Sequence, residues 1–331
     1  RRGPASFRGP AVTGTLPADT RPLPRWGTVT TTNAPLPEIL DFAAWHLELG
    51  AHRVYLYLDE HMPEAQAVLE AHPKLRVFRT DAAWWEKRGR RPDKHQVRQG
   101  ANARHANNRR PEVDWLAHID TDEFLLPARS LAEQLAALPE SCLCARVRPV
   151  EALAGPGPVT RFKAFHLDPS ARRTAAEDCF PTWGRHLSGG LLSHVAGKLF
   201  FRAGTKRLQI RIHNITLDGT ENPGQQPLPD TELGHFHAAD WEHFVRLYRF
   251  RLAQGSSRAE LKPQVRQPGA LSLHDLFATI EDSGGEAALK RFHDEVCTAT
   301  PRLIGALARN GLLRERRMDF AVLRARHFPG I

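Results

Sequence analysis

The chain has 331 residues, 41% apolar and 25% charged, an ordinary globular composition and long enough for one large α/β domain or two small ones. No apolar run approaches the 18 or so residues that a bilayer-spanning helix needs, so no membrane span is expected. The net charge of +9 suits an anionic partner, namely a nucleotide, a nucleic acid or a membrane surface. Only 8 of the 46 basic residues are Lys, which weights the chain toward Arg, the better bidentate phosphate ligand.

Residues 1–24 are rich in Pro, Arg and Gly and lack an apolar h-region; they read as a loosely attached arm, not as a secretory signal. An alternation follows: strand 26–32, helix 35–50 with Leu36, Leu40, Ala43 and Leu47 on one stripe, strand 52–58, helix 63–71, strand 75–79, helix 93–108 and strand 114–119. Strands alternating with helices predict βαβ units and a parallel sheet, so the expected class is α/β with ligands at the carboxyl ends of the strands. Asn33, Asp59 and Asp120 all fall at such ends.

The second half is less regular. Residues 130–138 read as a helix, 143–150 as a strand and 151–193 as irregular. Residues 198–202 and 207–212 read as a hairpin around Gly204-Thr205, 214–230 as a loop, 241–254 as a helix and 271–328 as helical and strongly charged. The organisation expected is an arm (1–24), one α/β domain (25–255) and a helical C-terminal extension (256–331). The four cysteines, Cys142, Cys144, Cys179 and Cys297, are too few for a disulfide scaffold and lack zinc-site spacing. They read as reduced structural thiols, with Cys142 and Cys144 on one face of a strand and a cytoplasmic location as the default.

The strongest chemical feature is His118-Ile119-Asp120-Thr121-Asp122-Glu123-Phe124-Leu125. Two carboxylates one residue apart, just after a buried strand, converge on one divalent cation, and hard oxygen ligands suit Mg²⁺ or Mn²⁺. His235-Phe236-His237 is the second: on a strand the two imidazoles share a face and Phe236 points away. Lys198 follows Gly197 and opens a strand, where it either meets a phosphate as a point charge or is an exposed edge lysine. Gln99 and Asn102 lie three residues apart on one helix face; Arg98 and Arg104 read as solvated. His213-Asn214 is a candidate acceptor-side pair, whereas His46, His52 and His118 read as structural.

The segment Asp114-Trp115-Leu116-Ala117-His118-Ile119-Asp120-Thr121-Asp122-Glu123-Phe124 resembles the DxDEF signature of bacterial glycosyltransferase family 2-like proteins. The opening resembles the same family: Asn33, then Glu38-Ile39-Leu40-Asp41-Phe42-Ala43-Ala44-Trp45-His46, Leu49-Gly50 and Val54-Tyr55-Leu56-Tyr57. Ala34 stands where the family usually has Glu, and the usual Ser after the acidic cluster at Asp59 is missing. The likeness spans about residues 28–250. It implies a GT-A (Rossmann-like) fold, an inverting hexosyltransferase-like activity, a UDP- or GDP-sugar donor and a Mn²⁺ or Mg²⁺ cofactor. It further implies Asn33 and Asp59 at the base and ribose, Gln99 near the nucleotide, Asp120 and Asp122 on the metal, and His235 or His237 completing the metal shell. Asp178 resembles the catalytic base of related enzymes, with Asp240 as its competitor. The acceptor is a glycan, a lipid-linked sugar or a small molecule, and the charge leaves room for peripheral membrane contact.

Two other readings compete. An Arg-rich nucleic-acid-binding protein needs its basic residues on one face with interleaved aromatics; Arg here is spread along the whole chain, so no nucleic-acid partner is expected. A metal-dependent phosphodiesterase or nucleotidyltransferase uses the same acidic pair but usually needs more carboxylates for two metals.

Overall fold

The computed structural model describes residues 22–238, 240–253 and 271–331. Most of the expected arm, the end of helix 241–254 and the expected boundary at 255/256 lie outside the described residues. The first half follows the alternation in the sequence: β1 (Trp26–Thr32), α1 (Leu36–Glu48), β2 (Arg53–Leu58), α2 (Pro63–Glu70), β3 (Leu75–Arg79), α3 (Ala82–Glu86), α4 (His95–Asn108) and β4 (Trp115–His118). Strands β3, β2, β1 and β4 lie side by side in that order, all parallel. Every residue of β1 is buried, because a central parallel strand is covered on both faces. Alternation along β2 sorts its side chains between two cores: Val54, Leu56 and Leu58 face the α1 side, and Tyr55 and Tyr57 face the side that holds Ala103 and Ala106 of α4.

The rest of the chain is β5 (Glu123–Pro127), α5 (Leu131–Ala136), β6 (Cys144–Leu153), β7 (Val159–Lys163), α6 (Pro169–Cys179), β8 (Lys198–Arg202), β9 (Gln209–Ile210), β10 (Ile215–Leu217), β11 (Thr220–Glu221), β12 (Gln226–His235), α7 (Trp241–Ala253), α8 (Leu273–Val296), α9 (Pro301–Arg309), β13 (Leu313–Arg317) and α10 (Phe320–His327). Antiparallel pairings of β4 with β8, β8 with β6, β6 with β7 and β7 with β13 continue the sheet, and β12 is inserted between β5 (antiparallel) and β6 (parallel). The described residues thus form a ten-stranded mixed sheet flanked by helices, a Rossmann-like, GT-A-type α/β fold of the class expected.

Several local expectations are corrected. Residues 198–202 do not form a hairpin with 207–212; β8 pairs with β4 and β6, and β9 joins β10 and β11 in a separate three-stranded sheet. The stretch 151–193 is not irregular throughout, since it contains the end of β6, β7 and α6, and the expected loop 214–230 contains β10, β11 and the start of β12. The stretch 271–328 is not all helical: β13 closes the sheet edge, and α8 is interrupted at Gly284-Gly285. All four thiols are free and buried, but Cys142 precedes β6 and packs in one core while Cys144 packs in the other, so they do not share a face. Among the described residues no helix is long and apolar enough to cross a membrane.

Candidate functional site

The chain leaves β4 at His118, turns through Asp120-Thr121-Asp122 and re-enters the sheet as β5. Three bonds fix the turn. Glu123 N–H donates to the Asp120 carbonyl at 3.1 Å, Asp120 N–H donates to Glu123 Oε2 at 2.8 Å, and Phe236 N–H donates to the Asp122 carbonyl at 2.9 Å. The last bond ties the acidic turn to the end of β12. About a third of each Asp side chain stays exposed, so both carboxylates sit at the mouth of a buried polar network.

Lys198 is fully buried and anchors one side of that network. Its Nζ lies 2.7 Å from Asp120 Oδ2 and 3.2 Å from Glu123 Oε2, and the Gln99 carboxamide donates to the other Asp120 oxygen. Gly197 makes this placement possible: its φ is +76°, and a Cβ there would collide with the Val147 carbonyl oxygen of β6. Burial opposes ionisation of Asp120, but the Lys198 ammonium outweighs it and holds the carboxyl well below the usual range. Glu123 goes the other way, raised by burial and further by the neighbouring Asp120 charge. The exposed-edge reading of Lys198 is therefore wrong; it is a buried counter-charge shared by two carboxylates.

The other side of the turn faces His235, whose Nε2 is 3.1 Å from Asp122 Oδ2. Register across three strands places His235 opposite Glu123 of β5 and opposite Glu151 of β6. Phe236 packs in the opposite direction against Phe124, Phe162 and Phe320, so His235 and His237 share the other face, with ring centroids 5.1 Å apart. Burial alone would lower the His235 pKa. The Asp122 charge and hydrogen bond, helped by Glu123 and Glu151, raise it to about 9, which registers how much negative charge surrounds the ring.

The residues fit the divalent cation implied by the family resemblance. His235 is buried and its Nδ1 has no hydrogen-bond partner among the described residues. A donor set of carboxylates and imidazole suits Mn²⁺ better than Mg²⁺, which prefers oxygen and water.

The other expected residues are placed as follows. Asn33 is exposed and donates to Glu60 Oε1 at 3.1 Å. Asp59 is buried, and Arg98 donates to both of its oxygens, with Arg91 at 3.3 Å, His95 at 3.5 Å and Thr80 at 3.3 Å. That carboxylate is saturated by protein donors, and Arg98, read as solvated, is 11% exposed and held in place by this pair. Asn102 turns inward to Thr31 Oγ1 at 3.0 Å instead of joining Gln99 at Asp120. Asp178, on α6, accepts from Asn310 Nδ2 just past α9 at 2.7 Å, and Asp240 Oδ1 accepts the His243 N–H at 2.7 Å as a cap on α7. His46 is structural, bridging the Phe42 carbonyl and the Leu125 N–H; His118 is fully buried, with its pKa pushed down to about 4 chiefly by that burial. His213 lies against His194, ring centroids 3.9 Å apart, and its Nδ1 is 2.9 Å from the Gly197 carbonyl. Glu123 and His194 were not singled out in the sequence. Glu123 could have been, because it completes the DxDE run, whereas nothing local marks His194.

No protein-family model matches the sequence, and no curated protein matches it. Among solved structures, the chain is similar to 4-diphosphocytidyl-2C-methyl-D-erythritol synthase, with 10% identity, 55% of this chain and 76% of that chain covered, and a TM-score of 0.27. It is also similar to HddC from Yersinia pseudotuberculosis, with 10% identity, 63% and 76% covered, and a TM-score of 0.28. Likenesses this weak carry no argument about activity.

Proposed function

We propose that the chain is a divalent-metal-dependent glycosyltransferase that takes a UDP- or GDP-sugar as donor and a glycan, lipid-linked or small-molecule acceptor. The observation that supports this reading is the convergence of Asp120, Asp122, Lys198, Gln99 and His235 at the carboxyl end of β4, beside the switch from parallel to antiparallel pairing. Open α/β sheets bind their ligands at such a place.

Asp122 and His235 are the residues that would hold the cation, with Asp120 beside them. A bound divalent cation supplies neutralisation of the charge that develops on a departing nucleoside diphosphate. Lys198 keeps Asp120 ionised, and Gln99 fixes its orientation, so Asp120 presents an acceptor-only carboxylate to a ribose hydroxyl or to water. Asp59 acts through Arg91 and Arg98, which it fixes at the end of β2 where a nucleotide would lie. Asn33 stands at the end of β1 on the same edge.

Two measurements test the reading. Nucleoside diphosphates should raise the melting temperature only with Mn²⁺ present. Incubation with UDP- or GDP-sugars and acceptor mixtures should release the nucleoside diphosphate. Release of pyrophosphate from a nucleoside triphosphate and a sugar phosphate would instead establish nucleotidyl transfer, and selective stabilisation by DNA would reverse the class.

A further inference from the structure

We propose that Glu151, His235 and His237 form a preassembled centre for a first-row divalent cation of the Mn²⁺ class beside Asp122, and that Asp120 stays outside it. The inference rests on the reading above for its location and goes beyond it in the ligand set. One ligand atom from each of Glu151, His235 and His237 falls within 4.8 Å of the others, and all three residues are buried. Asp122 Oδ2 stands beside this group, 3.1 Å from His235 Nε2.

The backbone builds this group before any ligand arrives. His235 and Glu151 are register partners on the parallel strands β12 and β6, and His237 follows two residues on, with Phe236 wedged into the aromatic core on the other side. Glu151 is itself oriented: the Ser193 N–H donates to Oε1 at 2.7 Å, the Leu192 N–H donates to Oε2 at 3.0 Å, and Lys163 Nζ stands 3.3 Å from Oε2. Lys163 is anchored in turn by the Gly190 and Val296 carbonyls at 2.7 and 2.9 Å. Two N–H donors and one ion pair leave lone-pair sites of the carboxylate open. Supporting bonds of this kind are how proteins orient metal ligands.

Charge decides between the two acids of the turn. Asp120 already has a buried ammonium at 2.7 Å and a carboxamide on its other oxygen, whereas Asp122 meets the His235 imidazole, whose neighbours are His237 and the Glu151 carboxylate. A cation at Asp120 would stand beside Lys198; beside His235 it meets the Glu151 carboxylate and two imidazoles, and its binding displaces the proton that His235 otherwise carries. Two imidazoles with carboxylates select Mn²⁺, Fe²⁺ or Zn²⁺ over Mg²⁺.

The test is Mn²⁺ titration of the full chain, stripped with chelator and free of nucleotide, followed by calorimetry and by the electron paramagnetic resonance of free Mn²⁺. One Mn²⁺ should bind per chain, and Mg²⁺ should bind at least about tenfold more weakly. Glu151→Gln should weaken Mn²⁺ by more than about tenfold, and Glu151→Asp, which keeps the charge beside Lys163 but withdraws it by one methylene, should do the same with the melting curve retained. Asp120→Asn should lose less affinity than either. Wild-type Mn²⁺ affinity in both Glu151 variants would overturn the proposal, as would binding that appears only after UDP or GDP is added. Mn²⁺ bound through Glu151 with no response to any nucleoside diphosphate would keep this centre and discard the nucleotide reading.

Discussion

In the parallel half, residues 27–32 of β1 pair with residues 53–58 of β2, the next strand along the chain. In the antiparallel half, β12 pairs Glu232 with both Leu126 and Arg148, and β13 pairs Leu313 with Lys163. Two of the three pairings in the first half, β1–β2 and β2–β3, join consecutive strands, whereas β12 and β13 of the second half reach partners far along the chain. Site residues divide in the same way: Asp59, Gln99, Asp120 and Asp122 come from the local half, and Lys198, His235, His237 and Glu151 from the long-range half. Chemistry at this site therefore depends on a seam between the two.

The sharpest way to break that seam is Lys198→Met. It takes from Asp120 and Glu123 the ammonium they share, and removing one partner of a buried ion pair costs about 3–5 kcal/mol. Urea unfolding should show the loss; an unchanged midpoint would mean that the seam does not need its lysine.

Asp122→Asn tests the same seam through chemistry instead of stability. Loss of the anionic ligand should remove roughly 3–4 kcal/mol of transition-state stabilisation, by analogy with deleting one oxyanion donor, a rate drop of hundreds-fold. The melting temperature at neutral pH should fall by the lost Asp122–His235 pair, so turnover is the readout that decides. A destabilised but fully active preparation would sink the metal assignment.

Within the local half, Asp59→Asn should cost roughly 2 kcal/mol at pH 7, the linkage value of a carboxyl lowered from about 3.9 to about 2. Burial raises this group, and the hydrogen bonds from His95 and Arg98 with the Arg charges lower it further than burial lifts it. Because the folded pKa is depressed, this stability is complete above about pH 4 and is lost as the pH falls through about 2. Stability curves of wild type and variant should thus converge across that window; a constant gap down to pH 2 would show that the ion pair is not its source.

The smallest effect belongs to Asp240→Ala. Loss of the cap on α7 should lower stability by about 1 kcal/mol and leave turnover alone. If turnover collapses while stability holds, Asp240 is the acceptor's base after all.

Periodicity made the parallel half legible, because each of its strands is a β-branched or aromatic run bounded by a helix. The long-range half hides several of its strands. The start of β12 carries Pro227 and Pro229 and a register shift between Pro227 and Glu232, so residues 226–230 read as a loop. β13 reads Leu-Arg-Glu-Arg-Arg, an edge strand whose charges resemble a solvated helix face. α6 has few apolar residues, and β7 follows a Gly-Pro-rich turn. At the site, the acidic turn and His235 could be found because motif and position agree. Glu151 could not, since a lone Glu in an apolar strand gains meaning only when β12 brings His235 beside it. Arg98 was misjudged because its partner, Asp59, lies 39 residues away.

The insertion of β12 between β5 and β6 sets an order of events during synthesis. When residue 225 has emerged, the parallel half and the whole acidic turn already exist, yet two strand edges still lack their partner and both imidazoles are missing. Until β12 arrives, β5 and β6 present open edges to any other extended chain, the exposure that makes partly folded sheets prone to aggregate. The strand that completes the candidate site thus also covers both of these edges, so a chain without it is expected to lose the site and to aggregate.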